Sequence, residues 1–170
     1  MNIPETTPMQ SGLDALPAPV QTADTNGEAL PCAARSVIDH VDRDAFGLRL
    51  QQHYHQYAVN EKAFLLIAIR GDSDEAQRLD FSLLYQCARK LLTDQDDWLV
   101  DLQNKRLIVL LTPALPDDAW RFFARLKVHL LETSPQQAET YLYAISAITL
   151  ANGTPFQTAE DFLTVALEEH

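Results

Sequence analysis

"DDWLVDLQNKRLIVLLTP", residues 96–113, sets two apolar runs around the polar stretch Gln103-Asn104-Lys105-Arg106. "DWLVDL" and "RLIVLLT" are each of strand length and rich in Val, Ile and Leu, so the short polar insert reads as the turn of a β-hairpin. Asn104 tolerates positive φ, which lets the turn close without a ligand. A hairpin in mid-chain makes the sheet antiparallel at its centre. The elements on either side then decide what covers it.

Upstream, Asp42 is placed to cap a helix running through "RDAFGLRLQQHYHQYAV", with Phe46, Leu48, Leu50, Tyr54 and Tyr57 as its buried side. "AFLLIAI", Ala63 to Ile69, is a continuous apolar run that predicts a strand buried on both faces. The loop "RGDSDEA" leads into a second helix, "QRLDFSLLYQCARKLL". Downstream of the hairpin, Pro116 and the acids Asp117 and Asp118 open a third helix, with Trp120, Phe123, Leu126 and Leu130 as its apolar side. "TYLYAISAITL", Thr140 to Leu150, predicts a further strand, and Thr158 caps a last helix through "AEDFLTVALEE". The predicted order is α-β-α-β-β-α-β-α, an α/β sandwich: a mostly antiparallel sheet of about five strands covered by helices. Residues 1–34 are rich in Pro, Thr and Ala without a sustained period, and they predict a disordered tail ahead of a single domain at 35–170.

Composition narrows the function. The chain has 170 residues, 46% hydrophobic and 22% charged, with a formal net charge of −11. Its 13 Lys and Arg are scattered among acids, which argues against a nucleic-acid partner and against binding to anionic lipid. No apolar run approaches a membrane span, and "MNIPETTPMQ" lacks the pattern of a secretory signal, so the expected location is the cytoplasm. Cys32 and Cys87 have no metal-ligand spacing and read as ordinary thiols. His53 and His55 stand two apart on a helix, where they point apart and cannot share a metal; both read as surface residues. His129 reads as a partly buried structural histidine without a neighbouring carboxylate.

Several stretches in this order resemble the GGDEF domain, the diguanylate cyclase fold related to nucleotidyl cyclases. "DRDAF" is similar to the family's helix start, with Arg43 and Phe46 in matching places and Asp42 where Asn is usual. "LYQCARKL" resembles the second-helix run. "YAISAITLANGTPFQTAEDFLTVALEE" resembles the C-terminal strand and helix, including Ser146, Gly153, Thr158, Ala159 and Leu163. The resemblance runs from about Asp39 to the C-terminus and lays Gln103, Asn104, Lys105, Arg106 and Leu107 on the five signature positions.

What the resemblance implies is a domain without its chemistry. The family holds two divalent metals with carboxylates on the hairpin and the first strand, and its paired glycines let the nucleotide lie against the backbone. Here amides replace the glycines and the cations Lys105 and Arg106 replace the acids. The first-strand motif is also missing; Asp72, Asp74 and Glu75 read as a solvated acidic loop. The inhibitory site of the family pairs an Arg with an Asp three residues on. Asp97 keeps the second position, but Asp94 stands where Arg is needed to grip guanine and phosphate. No catalytic residue, metal site or cofactor is expected, and no cyclic di-GMP binding at that degenerate pair. The implied function is a protein-protein interaction or scaffold module in a cyclic di-GMP-linked bacterial process such as exopolysaccharide secretion, biofilm formation or motility, its protein partner unidentified and a homodimer compatible with it. Gln103 to Arg106 are the candidate partner or ligand contact, a basic tip on an acidic protein. The alternative is a receptor that binds cyclic di-GMP or GTP in a modified pocket without turnover.

Overall fold

The computed structural model describes residues 42–168, and the expected tail lies outside them. The elements are α1 (Arg43–Asn60), β1 (Leu65–Arg70), α2 (Asp74–Gln77), α3 (Phe81–Arg89), β2 (Asp97–Asp101), β3 (Arg106–Leu111), α4 (Asp118–Thr133), α5 (Ala138–Ala144), β4 (Ser146–Ala151) and α6 (Ala159–Leu167). The strands form one sheet in the order β2-β3-β1-β4, antiparallel throughout. This is the split β-α-β arrangement, in which the hairpin inserts its second strand beside β1. The α/β class is as expected; among the described residues the sheet has four strands, not five.

The continuous apolar run of β1 is explained by its position. It is a central strand, and successive side chains enter two cores. Leu65, Ile67 and Ile69 pack with α3, α4 and α5, while Leu66 and Ala68 pack with α1 and α6. Helix starts follow their caps: the Asp42 carboxylate accepts from Ala45 N–H at 2.9 Å, and Thr158 Oγ1 accepts from Asp161 N–H at 3.1 Å.

Four local expectations are corrected by packing. Thr140–Leu150 is not one strand: Ala138, Tyr141 and Ala144 fall on one side of helix α5 and are buried there, and β4 begins only at Ser146. The second helix is two, because the Asp80 carboxylate accepts from Ser82 N–H at 3.0 Å and starts α3 afresh. On α1 only Phe46 and Leu50 are buried, and Leu48 is exposed. On α4 the buried residues are Ala119, Phe122, Leu126 and Leu130, and Trp120 stands 80% exposed.

The turn after β4 locks α1 to the sheet. Gly153 has φ +74°, and a Cβ there would fall 2.1 Å from the Tyr54 hydroxyl. The missing side chain lets that hydroxyl donate to Gly153 O at 3.0 Å, while the ring stands edge-on to Phe64 at 5.4 Å. Burial, helped by the Asp161 carboxylate, pushes the Tyr54 phenol up to about 12. An unfolded phenol titrates near about 10. Between the two, the folded state holds a proton that the unfolded chain has released, so this stability is complete below the window and falls as pH rises through it. Urea unfolding at about pH 9 and 11 is expected to show a larger alkaline loss in the wild type than in Tyr54→Phe. Equal losses would clear Tyr54 of the effect.

Candidate functional site

The hairpin turn is closed by Asp101, whose carboxylate accepts from Asn104 N–H at 3.0 Å and from its side-chain amide at 2.8 Å. Positive φ falls on Lys105 (51°), not on Asn104 as the sequence led us to expect. That left-handed residue turns the chain so that both cations point back into the domain. Lys105 Nζ donates to Ala76 O at 2.6 Å and to Leu79 O at 3.0 Å, one carbonyl in α2 and one in the turn after it. Gly71 makes room: its N–H donates to Lys105 O at 2.9 Å, and a Cβ on it would lie 3.1 Å from Lys105 Cβ.

Arg106 is 6% exposed, ion-paired with Asp72 and within 3.4 Å of Glu168 O. Its register partner Arg70 donates to Val165 O. Two guanidiniums thus meet the carbonyl end of α6, where the helix dipole favours positive charge. Asp72, Asp74 and Glu75 are exposed, as a solvated loop requires, but Asp72 is also held by Arg106, and the basic pair is not a free tip. Gln103 alone of the four turn residues is exposed.

Asp94 and Asp97 do not act together. Asp97 pairs with Arg49 of α1 at 2.7 Å, while Asp94 lines a cleft of about 680 Å³ between the loop before β2 and the start of α4. Arg121 and Arg125 reach this cleft from α4, and Thr112 at the end of β3 forms part of its wall. Thr112 N–H donates to Asp96 at 3.0 Å, but its buried hydroxyl has no partner among the described residues. Reading from the sequence missed Arg121 and Arg125, because they lie far along the chain from Asp94. Their alternation with the buried face of α4 was the available signal.

No protein-family model matches the chain, and no curated protein matches it. Among the described residues, no group of three or more His, Cys, Asp and Glu could hold a metal, and no helix is long and apolar enough to cross a membrane. His55 is exposed as expected. His53 is half-buried against Phe64, with its pKa lowered by burial and by Lys62 against an opposing effect of Asp97. His129 does have a carboxylate beside it: its Nδ1 lies 3.4 Å from Glu132. Cys87 is buried and free.

Proposed function

We propose that this chain is a non-catalytic, GGDEF-like interaction module serving a cyclic di-GMP-linked bacterial process such as exopolysaccharide secretion, biofilm formation or motility, acting through a protein partner in the cytoplasm. One observation carries the non-catalytic part. The two hairpin residues that the resemblance sets where carboxylates would hold metal are cations bonded inward, Lys105 to Ala76 O and Leu79 O and Arg106 to Asp72. Fixed positive charge repels a divalent ion, and the nearest first-strand acid, Asp72, is engaged by Arg106. A hairpin so tied to its neighbours suits a rigid recognition surface, with Gln103 as the exposed side chain of its turn.

A second reading, a nucleotide receptor without turnover, is favoured by the cleft beside Asp94. Two arginines and a buried, unpartnered hydroxyl there suit an anionic ligand, although Asp94, Asp96 and Asp118 share its wall and Asp118 pairs with Arg121. Incubation with GTP and magnesium, followed by chromatography, is expected to leave the GTP unchanged; formation of cyclic di-GMP would refute the non-catalytic proposal. Calorimetry with cyclic di-GMP and with GTP separates the two readings. Micromolar binding that disappears in Arg125→Ala would replace the interaction module by the receptor.

A further inference from the structure

The outward face of α4 is apolar. At about 3.6 residues per turn, Trp120, Ala124, Val128 and Leu131 line one stripe, opposite the buried Ala119, Phe122, Leu126 and Leu130. Trp120 is 80%, Val128 52% and Leu131 40% exposed. A helix over a sheet needs one apolar side; this one has two, and the second has no cover among the described residues. Arg121 and Arg125 flank the stripe on one side and Lys127 on the other. Arg121 shares its charge with Asp118 at 2.8 Å, whereas Arg125 and Lys127 have no ion-paired partner among the described residues.

These cations choose the occupant. Packed antiparallel on its own copy, the helix sets the Arg121–Arg125 flank against the same flank of the copy and Lys127 against Lys127, so like charges oppose a dimer through this face. Residues 1–34 have the complementary chemistry: the acids Glu5, Asp14, Asp24 and Glu28, no Lys or Arg, and Leu13, Leu16, Val20 and Leu30 among them. The 14 residue-to-residue steps from Glu28 to Asp42 reach about 45 Å when extended, more than the width of a domain of this size. Being tethered, such a segment meets the stripe at an effective concentration of about a millimolar, where weak contacts suffice.

We propose that residues 1–34 dock in cis on the outer stripe of α4, covering Trp120 and setting Asp14, Asp24 and Glu28 against Arg125 and Lys127. This inference does not depend on the function proposed above. The test uses the intact chain labelled with 5-fluorotryptophan, its two fluorine resonances assigned with Trp120→Phe, and a neutral gadolinium chelate as the probe of exposure. Broadening of the Trp120 signal is expected to be about threefold weaker in the wild type than in Arg125→Glu/Lys127→Glu, as the cover is released. Changing Asp14, Asp24 and Glu28 to Lys in that charge-reversed chain is expected to restore the protection. Equal broadening in all three chains overturns the proposal. Protection that grows with protein concentration, alongside a doubled mass in light scattering, overturns it in favour of a second copy.

Discussion

Replacing Lys105 with methionine is expected to lower the unfolding free energy by about 2 kcal/mol, in line with the loss of charge-assisted hydrogen bonds. The change keeps the aliphatic stem against Gly71 and removes only the ammonium, so Ala76 O and Leu79 O lose their donor. A cation on a free hairpin tip would behave differently, since surface substitutions away from such contacts stay within about 0.5 kcal/mol. Urea unfolding therefore distinguishes a tip that binds outward from one that braces the domain. A loss below about 0.5 kcal/mol would return Lys105 to the solvent and to a partner. The same geometry bears on any attempt to set acids in the turn. Lys105→Asp with Arg106→Glu sets carboxylates against the carbonyls of Ala76, Leu79 and Glu168, and the expected outcome is a loosened 71–80 loop without turnover of GTP.

Tyr141→Ala should cost more, about 3–5 kcal/mol, the range for removing a buried aromatic ring. Tyr141 is 1% exposed, and its hydroxyl donates to Asp80 O at 2.8 Å, joining α5 to the cap of α3. Tyr141→Phe keeps the ring and is expected to cost about 1 kcal/mol for the lost hydrogen bond. The companion is Tyr143→Ala, at a residue 84% exposed, which should change stability by less than about 0.5 kcal/mol. In a strand, residues 141 and 143 would share a face and the two alanine variants would behave alike. In helix α5 they point apart. Similar losses in the two variants would reinstate the strand that the sequence suggests over Thr140–Leu150.

That segment shows where sequence reading stops. "TYLYAISAITL" is rich in aromatic and β-branched residues, so its propensity favours a strand along its whole length. The core needs a helical segment before β4, because Ala138 and Tyr141 fill the space beside α3 and α4. The α4 stripe shows the same limit in another form: two apolar faces were written into one helix, and Trp120 looks as fit for burial as Phe122 until the sheet takes one side. In the candidate site, the hairpin, its turn and the identity of the four turn residues could be read in advance. Asp72, Ala76, Leu79 and Glu168, which receive the cations, lie up to 62 residues away from the turn, and no local pattern joins them to it.

By itself the sequence determined the features that are local in origin: the caps at Asp42 and Thr158, the central apolar strand, the hairpin, and a turn made of two amides and two cations. Only the tertiary structure decided which way those cations turn, which side of α4 is buried, and that the chain enters β4 from a helix. The physical reason is one of range. A cap or a turn is satisfied within a few residues, whereas the direction of a long charged side chain is set by whichever carbonyls and carboxylates the fold brings near it.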